Sequence, residues 1–228
     1  MCDGIIIKLG TLFVLTMYFH RCPYDMWIDN MDSLTEVFMK TKTKAKIASP
    51  KVAKSAYLSP SALVTGNVFI GEDVFVGPHS VIRADEPGSR VKIERGCNIQ
   101  DGVIIHALKK TTVKVGEHTS LTHGCIIHGP CTTGKDVFIG FRSVIFDANI
   151  GKNSVVKNMC HVEGVDIPAG RTVPSCSNID LNNLSLVLNK TSAKEKKFSR
   201  SIVKVNKYLI KAYKGKKIKT AKTHAHHY

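Results

Sequence analysis

The chain is poor in aromatic residues, 7% of 228 with a single tryptophan, and poor in acid, with 18 Asp and Glu against 33 Lys and Arg. A net charge of +15 points to nucleic acid or an anionic membrane only if the basic residues form one face of a folded domain. They cluster instead near the two ends, as Lys40, Lys42, Lys44, Lys46, Lys51 and Lys54 and again from Lys190 to Lys222. Few aromatics are interleaved there for bases to stack on. The pattern reads as solvated tails and helix faces, and no nucleic acid is expected as a partner.

A comfortable membrane span is also lacking. The best apolar run, Ile5 to Phe19, is interrupted by Lys8 and falls short of the roughly 20 residues a bilayer needs. Its flanks are poor for a signal peptide: no basic residue precedes Ile5, and His20-Arg21-Cys22 is not a small-residue cleavage site. Three readings fit it: a signal or anchor, making the protein secreted or membrane-associated; an extension ahead of a true start at Met26 or Met31; or a structured cytoplasmic segment. A disulfide framework is missing too, despite seven cysteines. Cys97, Cys125, Cys131 and Cys160 each fall four residues after a repeating aliphatic, where a small inward residue belongs, so they read as core hydrophobes. Cys2, Cys22 and Cys176 carry no signal.

What is present is a period of six. Aliphatics recur at Leu58, Val64, Ile70, Val76 and Ile82, then after an insertion around Pro87–Arg90 at Ile93, Ile99 and Ile105. Past Lys109–Thr112 they resume at Val115, Leu121 and Ile127; Thr133 holds the register, and Ile139, Ile145, Ile150, Val156, Val162 and Ile167 complete the series. Small or β-branched residues often follow four places later, as at Val68, Val74, Ser80, Val103, Thr119, Val137, Ser143 and Ser154. Helices repeat near 3.6 and single strands at two, so a hexapeptide period means short strands joined by tight corners, coiled as a parallel β-helix with three faces per turn. The expected organisation is an N-terminal extension over 1–57, the β-helix over 58–175 ending at Pro168 and Pro174, a helical segment over 176–214, and a basic, histidine-bearing tail over 215–228. Leu181–Leu188 and Ala193–Lys214 read as helices, the second with an apolar stripe of Ser201, Ile202, Val205, Leu209, Ala212 and Tyr213. Asp32–Lys46 also has helical character.

The segment Asn98–Pro130 holds His106, His123 and His128. If Ile105 starts the first face, Val115 starts the second, Leu121 the third, and Ile127 returns to the first. His106 and His128 directly follow their aliphatics and so share a face one coil apart, about 4.8 Å, where two imidazoles can share one ion. His123 follows Leu121 by two and belongs to the third face. Prisms arranged about a threefold axis bring the first face of one subunit to the third face of the next, so a trimer with shared metal sites is expected. Arg83 falls below His106 and Asp101 beneath His123, which suggests an Arg83–Asp101 pair across the boundary, with Asp85 as a second partner. Three imidazoles with an open fourth position suit a Zn²⁺ ion that lowers the pKa of water to about 7. A structural zinc would more often use four ligands including thiolates, and the cysteines here face inward. His20, His79, His118 and His161, and the tail residues His224, His226 and His227, read as isolated histidines.

Val81-Ile82-Arg83-Ala84-Asp85-Glu86, Asn98-Ile99-Gln100-Asp101-Gly102, Ile105-His106-Ala107-Leu108 and Leu121-Thr122-His123 through His128-Gly129-Pro130 together resemble the gamma-class carbonic anhydrases, nearest the archaeal prototype. The likeness covers about Leu58 to Ser175 and continues at Val205-Asn206-Lys207 and Ala212-Tyr213. It implies a left-handed β-helix, a homotrimer with three intersubunit sites for Zn²⁺ (Fe²⁺ or Co²⁺ also fit), and interconversion of CO2 and bicarbonate. It further implies that His106, His123 and His128 are the ligands, that Gln100 and Asn206 are active-site polar groups, and that Glu86 handles protons. Arg83 would serve bicarbonate and trimer contacts, with Asp85, Asp101 and Asn98 beside it. One departure stands out: the family prototype carries a long acidic loop with a proton-exporting glutamate after the histidine motif, whereas here the run is short and basic, with Lys109 in that position. Two other readings compete: an assembly subunit whose metal site is silent, and a hexapeptide acyltransferase using acyl-CoA, which would need a lone histidine base and a cofactor groove.

Overall fold

The computed structural model describes residues 47–182 and 188–214; these belong to one compact unit, Lys46–Tyr228. The apolar run Ile5–Phe19, the segment Asp32–Lys46 and the tail from 215 lie outside the described residues. Strands of two to four residues, with two longer ones that run on across a corner (Ile126–Thr133 and Val144–Ile150), stack coil upon coil in parallel until the last strand. This is the left-handed parallel β-helix the period calls for. Among the described residues seven coils expose three faces. The first begins at Leu63–Gly66, the second at Lys51–Val52 and the third at Tyr57–Leu58.

The repeating aliphatics form the core. Ile70, Ile82, Ile93, Ile99, Ile105, Leu121, Ile127, Ile139 and Ile145 are all fully buried, and the four repeat cysteines are buried with them. Each such aliphatic contributes about 1.5–3 kcal/mol relative to an exposed one. Burial pushes the Cys97 and Cys125 thiols up to about 12 and Cys131 to about 11, so they stay protonated and inert. Small polar residues at the four-later position turn their hydroxyls onto the next coil's carbonyls. Ser80 Oγ donates to Gln100 O at 2.8 Å and Ser143 Oγ to Lys157 O at 2.8 Å. Thr133, the one polar member of the series, is buried and its hydroxyl accepts the Gly116 N–H at 3.2 Å. Corners impose a further rule: the third residue after the aliphatic is left-handed, as at Asp73, His118, Asp136, Arg142, Asn153 and Met159. Gly124, at φ 69°, holds this position directly after His123, where glycine adopts the turn without strain.

Expectations about the two ends of the prism and the segment after it need correction. The prism does not end at Pro168 and Pro174, which sit in corners; Val173 and Ile179 continue the buried series in strands Arg171–Val173 and Asn178–Ile179. Nor does it begin at Leu58, because Lys51–Val52 already pairs with Phe69–Ile70. A proline lacks only a donor, and a corner does not require one there. The helix over Leu181–Leu188 is not formed by its described members: Leu181 and Asn182 make a turn, and Asn189–Lys190 adds an antiparallel strand to Arg171–Thr172. Residues 183–187 of that segment lie outside the described residues.

The C-terminal helix occupies Ala193–Lys214 as expected. Ser192 and Glu195 form a capping box: Glu195 Oε2 accepts from Ser192 N–H at 2.8 Å, and Ser192 Oγ accepts from Glu195 N–H at 3.2 Å. The helix lies on the third face. Phe198 packs on Phe138, and Tyr213 on Tyr57 and Phe75. Its docked stripe is Ser199, Asn206 and Ile210, not the one centred on Val205, which is 54% exposed. A polar anchor sets that rotation: Asn206 Nδ2 donates to Cys97 O at 3.1 Å. Among the described residues no helix is long and apolar enough to cross a membrane.

Candidate metal centre

Strand register puts Thr65, Arg83, His106, His128, Phe146 and Glu163 in one column on the first face, each a coil above the last. His106 and His128 therefore meet as their spacing requires. His106 Nδ1 and His128 Nε2 stand 3.2 Å apart. Two ligand nitrogens about 2.0–2.1 Å from one tetrahedral ion lie roughly 3.3 Å apart, so the pair fits two ligands of a single metal. Burial first, and then the neighbouring His106, hold His128 below the usual imidazole range and favour the neutral form that binds metal.

His123 is not in this column. It lies at the corner between the third and first faces, 54% exposed, with Nδ1 3.6 Å from Asp101 Oδ2 and its ring 5.4 Å from that of Phe141. Among the described residues no three His, Cys, Asp or Glu side chains of one chain are grouped to hold a metal. Each prism thus carries two separate parts of the expected ligand set.

Around the histidine pair, Arg83 grips Asp85, just past the end of its strand, with two bonds, Nε to Oδ2 at 3.0 Å and Nη2 to Oδ1 at 3.2 Å. Within the chain Asp101 stands beside His123, while Asp85, the second partner expected, is the one that Arg83 holds, two residues along the chain; the Arg83–Asp101 pair is the one expected between subunits. Burial works to raise the Asp85 carboxyl, but the Arg83 guanidinium and a backbone hydrogen bond hold it below its ordinary value. Glu86 reaches His106: its Oε1 is 3.2 Å from His106 Nε2, while its Oε2 accepts the Lys109 main-chain N–H at 2.6 Å. The two loops meet here because both insertions fall at the corner between the first and second faces, and Lys110 N–H donates to Pro87 O at 3.0 Å.

Gln100, Asn98 and Asn206 belong to the third face. Asn98 and Asn206 are buried where the helix docks, and the side-chain oxygens of both, together with Gln100 Oε1 and Ser120 Oγ, have no hydrogen-bond partner among the described residues. Sequence reasoning missed Phe146, whose ring lies 5.2 Å from that of His128 and caps the histidine pair with an apolar wall. The column count that found Arg83 one coil below would have found Phe146 one coil above.

The hexapeptide repeat of succinyl-transferase is matched at residues 67–107 and 130–158. The carboxysome assembly protein CcmM of a Nostoc species is 34% identical over 76% of this chain; the chain spans only 33% of that protein's length. The carbonic anhydrase of Methanosarcina thermophila is 32% identical over 73% of this chain and 76% of that enzyme. Among solved structures, a hexapeptide transferase family protein from Anaplasma phagocytophilum superposes with a TM-score of 0.64 over 73% of this chain and 93% of that one, at 22% identity, a likeness of fold. Coils of hexapeptides and extended identity to the archaeal enzyme together place the chain among the hexapeptide-repeat proteins, as a member of the gamma-class carbonic anhydrase family.

Proposed function

We propose that this chain assembles as a homotrimer that interconverts CO2 and bicarbonate at metal sites shared between subunits. One observation carries the reading: His106 and His128 present nitrogens 3.2 Å apart on one face, while His123 stands at another edge and so completes the set of a neighbouring copy. The apolar outer residues of the first face support such a neighbour, with Leu63 54% and Ile104 39% exposed. Three neutral imidazoles suit Zn²⁺, and equally Fe²⁺ or Co²⁺. The bound ion would supply Lewis acidity and a water of pKa about 7.

The chain's own residues supply the remainder. Phe146 excludes water above His128 and offers CO2 an apolar contact. Gln100 orients the attacking water through its buried amide oxygen, and Asn98 and Asn206 line the third-face side of the site. Arg83, kept in position by Asp85, attracts the bicarbonate anion, and Asp101 steadies His123. Hydration releases a proton, and Lys109, an ammonium already carrying its own, cannot receive it. Glu86 beside His106 is the nearby carboxylate for that step, and solvent buffer completes the export.

The test is a CO2-hydration assay on metal-loaded protein, together with its metal content and native mass. Trimeric, metal-bearing, active protein is expected, and His106→Ala should lose metal and activity together; an active His106→Ala protein would sink the assignment. Lys109 favours a second reading, a trimeric assembly subunit with a silent site. A trimer that binds metal and leaves CO2 unhydrated would establish it, whereas a metal-free protein that transfers acyl groups from acyl-CoA would establish the acyltransferase reading.

A further inference from the structure

The two lysine-rich stretches lie at opposite ends of the sequence and meet in the fold. From Lys40 to Gly71 the chain carries Lys40, Lys42, Lys44, Lys46, Lys51 and Lys54 and no acid, and from Lys196 to Tyr228 it again carries no acid. The C-terminal helix brings the second stretch to the first by running from the later coils back to the first coil. Glu195 near its start pairs with Lys157, Asn206 in its middle donates to Cys97 O, and Tyr213 at its end packs on Tyr57 and Phe75. Lys214 Nζ then donates to Lys54 O at 2.7 Å, across 160 residues of sequence.

The first coil is thus the basic end of the prism. Lys51, Lys54, Lys211 and Lys214 are exposed there, and the next acids in the chain, Glu72 and Asp73, sit at a corner one coil higher. Of the other acids on that second coil, Asp85 is held by Arg83, and Glu86 turns to the Lys109 main chain. Apolar side chains accompany the lysines: Ile47 is 55%, Val52 42% and Tyr213 38% exposed. In sequence the charge continues past both described ends, with Lys40 to Lys46 directly before Ile47 and Lys216, Lys217, Lys219 and Lys222 soon after Lys214.

We infer that the first-coil end of the prism docks on an anionic lipid bilayer. Each lysine near anionic headgroups strengthens partitioning about fivefold, and Ile47, Val52 and Tyr213 suit the headgroup layer. Threefold symmetry about an axis along the prisms turns three such ends the same way, so a trimer meets a flat bilayer with all of them at once. That multiplication rests on the proposed trimer, whereas the basic end belongs to each copy. Nucleic acid is the poorer polyanion here, because aliphatic Ile47 and Val52 offer bases nothing to stack on. His106 and His128 stand two and three coils above the docked end, clear of the contact.

The experiment sediments the full-length protein with vesicles of phosphatidylcholine alone and of phosphatidylcholine with about 30% phosphatidylserine, each at about 0.1 M and about 0.5 M salt. Binding to the anionic vesicles only, and weaker by about tenfold or more at the higher salt, is expected. Lys51→Glu, Lys54→Glu and Lys211→Glu together should lower that binding by about 100-fold or more at unchanged native mass. Lys152→Glu, Lys190→Glu and Lys194→Glu together make the same change of net charge at exposed positions on the later coils and the helix start, and should bind as the wild type does. Indifference of the wild type to phosphatidylserine, equal loss in the two triple variants, wild-type binding by the first of them, or capture by a DNA duplex with none by the vesicles each overturns the inference. The readout uses neither metal nor CO2, so failure of the enzyme reading leaves it intact, and a monomeric wild type that binds anionic vesicles removes the threefold multiplication alone.

Discussion

The first and third faces of the prism are built by the same repeat yet finish their surfaces differently. Outward residues of the third face, Phe75, Asn98, Ser120 and Phe138, are buried because the chain's own C-terminal helix covers them. Those of the first face, Leu63, Val81, Ile104, Ile126 and Val144, form an equally apolar column that nothing in the described chain covers. The second face shows what a solvent surface looks like here: Lys92 and Lys114 share Glu94 at 3.3 and 3.4 Å. An apolar column beside a pair of histidines is the surface that the proposed trimer would bury, against the corner of the next copy that carries His123.

Placing a charge on the uncovered column should have the largest effect. Ile104→Asp is expected to give monomers by analytical ultracentrifugation and to lower CO2 hydration to the level of His106→Ala, because a carboxylate would be buried unpaired at the contact. Thr132→Asp on the second face is the control and should leave the mass unchanged. Trimeric Ile104→Asp would mean that the first face is not the contact. Loosening the covered face should instead cost stability and spare assembly. Ile210→Ala removes a buried side chain at the helix seam and should lower unfolding stability by about 2–5 kcal/mol, seen as a lower thermal midpoint. If it also dissociated the trimer, the two faces would not be independent.

A smaller effect is expected at the helix start. Burial opposes it, but hydrogen bonds from Ser192 and the Lys157 ammonium bring the Glu195 carboxyl down from 4.5 to about 2. A depressed carboxyl stabilises the fold above its unfolded value and loses that contribution as the pH falls through its folded value. Glu195→Gln should cost about 1 kcal/mol at neutral pH, with the gap to wild type closing between about pH 4.5 and 2 in urea titrations. A gap independent of pH would remove the ionic part of the cap. Smallest of all, Lys109→Glu should raise turnover in weak buffer more than in strong buffer; equal effects in both would show that the loop plays no part in proton export.

Much of this was legible in the chain because a hexapeptide period is local information. Counting by six found the core from Ile70 to Ile167, explained four cysteines as buried filler, and put Arg83, His106 and His128 in one column. It failed where an identity of side chain does not reveal the bond that is made. Asn206 takes the docked side of the helix from Val205 through its bond to Cys97 O, and Pro168 and Pro174, which read as terminators, merely turn corners.

The two faces of His106 mark the division most clearly. The sequence by itself determined that His106 and His128 stack, since six residues per face and parallel register leave no other arrangement. It also determined that His123 looks elsewhere. Only the tertiary structure decided that Glu86 meets Nε2 of His106, and that Lys109 contributes a main-chain N–H whatever its side chain. A repeat specifies which side chains share a face, whereas contacts made by corner loops depend on how two insertions of unequal sequence fold against one another.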